Sequence, residues 1–134
     1  MNEKTMQGGC QCGAVKYEVT DKPFGAEYCH CSMCRKTVGA VTVNWIDFKV
    51  EQVKWTTQLP KEYASSEHAF RGFCVECGCS MSFRDNRRPE FLSLTLGSLD
   101  DPSLVEPTQH IYADDQVKWL NIVDECTRFR QGAV

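Results

Sequence analysis

A mostly β fold is predicted, made of many short strands with cysteine loops at their ends. Three observations predict it: apolar and polar residues alternate in short runs, helical periodicity is scarce, and eight of nine cysteines fall in three tight clusters. The chain has 134 residues, 42% hydrophobic and 25% charged, which suits one globular domain spanning residues 1–134 and is too apolar for disorder. Its longest apolar runs cover only a few residues, and Met1–Met6 carries both charge signs, so neither a membrane span nor an export signal is expected. The expected location is therefore cytoplasmic, with no membrane partner. A net charge of −3 opposes a nucleic-acid partner, whose polyanionic backbone favours a basic face.

The strands can be placed in order. Val15, Tyr17 and Val19 alternate with Lys16 and Glu18, the period-two pattern of a half-buried strand. Val41-Thr42-Val43-Asn44-Trp45-Ile46 is β-branched and aromatic, as strands are, while Phe48, Val50 and Val53 suggest an irregular edge. Lys61–Ser65 and Ala69–Phe73 read as two short strands meeting near Ser66. Met81–Arg84 alternates again, and Phe91–Leu96 is the strongest strand of all. Ser32–Thr37 forms at most one helical turn, and Asp100-Asp101-Pro102 and Glu106-Pro107 break the chain around a short loop.

The cysteine clusters are Cys10-Gln11-Cys12, then Cys29-His30-Cys31-Ser32-Met33-Cys34, then Cys74-Val75-Glu76-Cys77-Gly78-Cys79. Thiols this close converge on one ion more naturally than they form disulfides, and in a reducing compartment the ion favoured by thiolates is zinc. Gly13 and Gly78 follow their pairs as expected of a turn that needs positive φ. Cys10 with Cys12, and Cys74 with Cys77, supply two ligands each and together would saturate a tetrahedral structural site. Spacing alone leaves open which turns pair. Cys29, Cys31 and Cys34 are three thiols in six residues, one short of a closed tetrahedron. Three protein ligands and an open position are the mark of a catalytic ion, and three thiolates on a divalent ion suggest activation of an external thiol. His30 and Cys79 are the rival fourth ligands, and Cys126 stands alone. If Cys79 closes the trio, both sites are saturated and the protein is a structural module.

These segments, GGCQCGAVKYEV, CHCSMCRKTVGA, FRGFCVECGCSM, LGSLDDP and HIYADDQVKW, resemble in order the glutathione-dependent formaldehyde-activating enzymes, a superfamily that includes the centromere protein V group. The resemblance runs from about Gly8 to Trp119. It implies a β-tent fold of small antiparallel sheets stapled by zinc-binding loops, and two zinc ions per chain. Carried over by motif, Cys10, Cys12, Cys74 and Cys77 hold a structural ion, and Cys29, Cys31 and Cys34 hold a catalytic one. The activity implied is a carbon–sulfur lyase reaction interconverting S-hydroxymethylglutathione with glutathione and formaldehyde. This sequence departs from the family at Cys79, where a small residue such as Ser is usual, and in the tail Asp124–Phe129.

In that setting Arg35, directly after the last trio ligand, is the candidate to bind a carboxylate of the thiol substrate, with Lys36 behind it. Arg71 is expected in a cross-strand ion pair, His110 as a hydrogen-bonded strand histidine, and Trp45, Trp55 and Trp119 in packing. Asp100 and Asp101 should cap backbone N–H groups in a turn. The alternatives to an enzyme are a non-catalytic zinc module for a protein partner and a thiol-redox or metal-buffering protein.

Overall fold

In the computed structural model, which describes residues 5–132, the alternating run after the first cysteine pair is a strand whose inward side chains are fully buried. Val15, Tyr17 and Val19 are 0%, 1% and 0% exposed. The strands are β1 (Thr5–Gly9), β2 (Lys16–Thr20), β3 (Gly25–Cys29), β4 (Val43–Lys49), β5 (Val53–Trp55), β6 (Lys61–Ala64), β7 (Ala69–Phe73), β8 (Ser80–Asp85), β9 (Phe91–Thr95), β10 (Gln109–Ile111) and β11 (Thr127–Arg128). They form a three-stranded sheet, β1-β2-β5, and an eight-stranded one in the order β11-β10-β3-β4-β9-β8-β7-β6.

The irregular edge expected at Phe48–Val53 is a single 3₁₀ turn between β4 and β5. Gln52 fastens it by accepting from the Lys49 N–H and donating to the Thr20 carbonyl. Two expectations need correction. The large sheet is not purely antiparallel, because β10 pairs in parallel with both β3 and β11. β10 has three residues and β11 two, too few to carry an alternation that could announce this. The helix α1 (Ser32–Val38) is also longer than one turn. Cys31 caps its start, its sulfur accepting from the Cys34 N–H, and Gly39 ends it at φ +76°, donating to the Arg35 carbonyl.

The core has two parts. Tyr17, Val19, Ile46, Phe48, Met81, Leu92 and Leu94 join the two sheets and enclose Cys10 and Cys74. A smaller cluster contains Cys29, Cys34, Val43 and Trp45, with Phe83, Ile111 and Tyr112 packed against it. Each fully buried large apolar side chain contributes about 1.5–3 kcal/mol, so each cysteine cluster is fixed within an apolar shell. Among the described residues, no helix is long and apolar enough to cross a membrane.

One buried polar pair gives the fold a pH dependence. Glu27 on β3 is 4% exposed and accepts from Gln109 Nε2 at 3.1 Å, while Asp47 on β4 accepts from Ser93 Oγ at 2.6 Å. Burial, then the adjacent Asp47 carboxyl, pushes Glu27 up to about 9, and burial raises Asp47 as well. An unfolded Glu ionises near ~4.3. Between that value and the folded one the folded chain holds the extra proton, so stability falls as pH rises. The wild-type melting temperature should decline from pH 6 to pH 9, and Glu27→Gln should decline less, the two converging towards pH 5. Thermal melts across that range check it; parallel pH profiles would refute it.

Candidate metal centres

Two loops with a common construction build the first centre. After β1, the Gly13 N–H donates to the Cys10 carbonyl and the Val15 N–H donates to Cys10 Sγ at 3.3 Å. After β7, the Gly78 N–H donates to the Cys74 carbonyl. Gly13 and Gly78 take φ +85° and +78°, the left-handed conformation anticipated for both turns. The loops bring Cys10, Cys12, Cys74 and Cys77 together, all four sulfurs lying within 4.8 Å of one another. Cys12 Sγ lies 3.6 Å from Cys10 Sγ and 3.7 Å from Cys74 Sγ. A tetrahedron with metal–sulfur bonds of about 2.3 Å has sulfur–sulfur edges of about 3.8 Å, so this donor set fits one ion. Burial pushes the Cys10 thiol up, but hydrogen bonds from Val15, Cys74, Cys12 and Cys77 outweigh it and bring it down to about 6. A backbone hydrogen bond from Ala14 favours the Cys12 thiolate, but burial and the contacts with Cys10, Cys74 and Cys77 outweigh it and push Cys12 up, so negative charge in this group gathers on Cys10.

The second group is Cys29, Cys31 and Cys34, again within 4.8 Å of one another, with Cys29 and Cys31 sulfurs 3.5 Å apart. β3 ends on Cys29 and α1 begins after Cys31, so a strand-to-helix corner turns all three sulfurs to one point. Cys29 and Cys34 are 2% and 6% exposed, whereas Cys31 is half-buried, so solvent reaches the group from the Cys31 side. The hydrogen bonds among the three sulfurs favour ionising Cys34, whose thiol lies well below its ordinary value, and push Cys29 up. Among the described residues no fourth metal-ligating side chain joins this group.

His30, between two of these cysteines, turns away as a third rail of the fold. Its Nε2 lies 2.8 Å from His110 Nδ1, and His110 Nε2 lies 2.8 Å from Asp124 Oδ2. Tyr28 stacks on His110 with ring centroids 4.6 Å apart. His110 is thus the hydrogen-bonded strand histidine expected of it, on β10. Burial, then the positive potential of His110, lowers His30 to about 4, and its buried Nδ1 has no hydrogen-bond partner among the described residues.

Several side chains were legible only in part. Arg35 is half-buried and its Nε donates to the His30 carbonyl at 3.4 Å, on the loop that carries the trio. Trp45 is buried, Trp55 packs edge-on to Tyr17 at 5.7 Å, and Trp119 is 71% exposed rather than packed. Asp101 caps the Ser103 N–H as a turn aspartate should. Arg71 is a correction. In place of a cross-strand carboxylate it meets Cys34, with Nη1 and Nη2 at 3.6 and 3.5 Å from the sulfur. Tyr112, at φ +53°, is a residue that sequence reasoning missed. Its left-handed backbone, uncommon outside glycine, places it against the trio's apolar shell. Its position directly after His110-Ile111 was the available signal.

Cys79 joins neither group. Its sulfur donates to the Ser80 carbonyl at 3.6 Å, and it packs against the larger core. Cys79→Ser should therefore leave the metal content per chain unchanged and shift the melting temperature by only a few degrees. Elemental analysis of the purified variant checks this; loss of one equivalent would make Cys79 a ligand. Cys126 lies with His110 and Asp124. The 2.8 Å separation of His110 Nε2 and Asp124 Oδ2 is that of a direct hydrogen bond, so this third group reads as a His–Asp dyad.

Comparison with known proteins bears on both centres. A Halomonas elongata protein, named as a candidate glutathione-dependent formaldehyde-activating enzyme, is 27% identical over 127 residues, covering 87% of this chain and 80% of that one. A crystal structure of a Rhodobacter sphaeroides protein matches the fold with a TM-score of 0.58 at 24% identity, covering 76% of this chain and 97% of the other. The family model described as glutathione-dependent formaldehyde-activating enzyme matches residues 5–115, which include every cysteine of both groups. The chain belongs to the glutathione-dependent formaldehyde-activating enzyme family.

Proposed function

We propose that the protein is a zinc-dependent carbon–sulfur lyase that interconverts glutathione plus formaldehyde with S-hydroxymethylglutathione. The observation that carries this reading is the three-sulfur group, partly open at Cys31 and without a fourth protein ligand among the described residues. Cys10, Cys12, Cys74 and Cys77 would hold a structural zinc within the β-tent, and Cys29, Cys31 and Cys34 a catalytic one. When bound there, zinc would hold a fourth, external thiol as the thiolate at neutral pH.

The chain's own residues do the rest. The strand-to-helix corner positions the acceptor for the thiol, and the apolar shell of Trp45, Phe83 and Ile111 limits water behind it. Arg35 would receive a substrate carboxylate at the mouth of the loop. In the reaction the sulfur lone pair forms the C–S bond to formaldehyde. The C=O π pair moves to oxygen, which takes up the proton that the thiol gave up. The uncatalysed addition is facile, so the protein's contribution is proximity and thiol activation. The expected location of the reaction is the cytoplasm.

The test is exchange spectroscopy on ¹³C-formaldehyde and glutathione, with and without the zinc-loaded chain. A catalytic protein raises the exchange rate well above the spontaneous one. An unchanged rate with both metal sites filled would leave a non-catalytic zinc module as the reading.

A further inference from the structure

Arg71 is a buried cation whose anionic partner is a sulfur. It is 3% exposed, on β7, between the cross-strand neighbours Tyr63 and Phe83. Its Nη1 and Nη2 both donate to Cys34 Sγ, its Nε donates to Ser65 Oγ at 3.1 Å, and its guanidinium lies over the Phe83 ring at 5.0 Å. Among the described residues no carboxylate stands within ion-pair distance of it. A buried guanidinium without an anion is strongly destabilising. The fold therefore supplies the cation on the understanding that the trio is negatively charged.

The charge count gives this arrangement a purpose. Three thiolates around a divalent ion carry a net −1, and a fourth thiolate takes the site to −2. With Arg71 fixed beside Cys34 these become 0 and −1, in an interior where charge is costly. Ser65 and Phe83 hold the fork in place, so both Nη groups reach one sulfur at once. Two donors on Cys34 also draw electron density from that ligand without filling the corner reserved for an external thiol.

We propose that Arg71 is a positioning residue that neutralises the three-sulfur site, setting how firmly it retains its ion and allowing it to accept an anionic fourth sulfur. This rests on the reading that Cys29, Cys31 and Cys34 hold a divalent ion. A merely structural arginine would affect stability but would not distinguish one metal site from the other.

The experiment follows zinc release from the zinc-loaded full chain to a chromophoric chelator, with neither glutathione nor aldehyde present. The wild type should release its two ions in two phases, the trio first. Arg71→Met and Arg71→Gln should accelerate the first phase more than tenfold and leave the four-cysteine phase unchanged. Arg71→Lys keeps the charge and should stay within fivefold of wild type. Equal first phases in wild type and Arg71→Met, or acceleration of both phases together, would overturn the proposal. If the uncharged variants do not fold, Arg71→Lys decides: release within fivefold supports the charge role, and faster release refutes it. A wild-type chain holding a single zinc would remove the premise and the proposal with it. A chain that shows the expected release pattern but no formaldehyde exchange would refute the lyase reading and leave Arg71's role intact.

Discussion

Cys74→Ala should unfold the chain rather than simply empty one metal site. Cys74 is fully buried in the larger core, its N–H donates to the Cys79 carbonyl, and its sulfur meets Cys12 at 3.7 Å. The four-cysteine group ties the loop after β1 to the loop after β7, and so links the small sheet to the far part of the large one. Structural zinc in small domains contributes about 10–16 kcal/mol of apparent binding energy, against a typical net stability of about 5–15 kcal/mol. If the four sulfurs hold such an ion, removing Cys74, one of the two buried ones, forfeits much of the first figure and exceeds what the second can absorb. Circular dichroism and a thermal melt should show loss of the cooperative transition at 25 °C. A variant that melts within about 5 °C of wild type would mean that the site does not hold the fold together.

Cys31→Ala should have the opposite profile: a folded chain without activity. Cys31 is the half-buried member of the trio, and its structural duty is to cap α1 by accepting from the Cys34 N–H. Losing such a cap costs about 1 kcal/mol, a shift of several degrees that a cooperative fold survives. Chemically the loss is large. Two sulfurs cannot hold the ion against solvent, so the variant should contain one zinc instead of two. Its glutathione–formaldehyde exchange should fall to the spontaneous rate, a drop of about tenfold or more, since a free thiol is only a few per cent thiolate at neutral pH. Elemental analysis and exchange spectroscopy on the same sample check both halves. Retained exchange with one zinc lost would move the chemistry away from the trio.

These two variants separate because their ligands sit on differently built local structures, and that difference is visible in the chain itself. Cys10-x-Cys12 and Cys74-x-x-Cys77 each precede a glycine and a strand, the pattern of a tight turn whose N–H groups face sulfur. Cys29, Cys31 and Cys34 span the step from strand to helix, and only Cys34 lies in helical backbone. The strands with alternating side chains, β2 and β9 above all, fell where the alternation placed them. The parallel insertion of β10 did not announce itself, because three residues carry too little pattern to choose a partner. The length of α1 depended on Gly39 adopting φ +76°, a role glycine takes in many turns that end no helix.

The amino-acid sequence by itself determined which thiols stand close enough in the chain to be candidate metal ligands. Thiols two or three positions apart are held near one another by the backbone wherever the chain goes, whereas the joining of Cys10 and Cys12 to Cys74 and Cys77, and the exclusion of Cys79, came from the fold. Tertiary structure alone decided which charges those thiols meet. Arg71 reaches Cys34 across 37 positions, and His30 reaches His110 across 80. Contacts at that range come from strand order and register, which emerge from the packing of the whole core and leave no mark in local spacing.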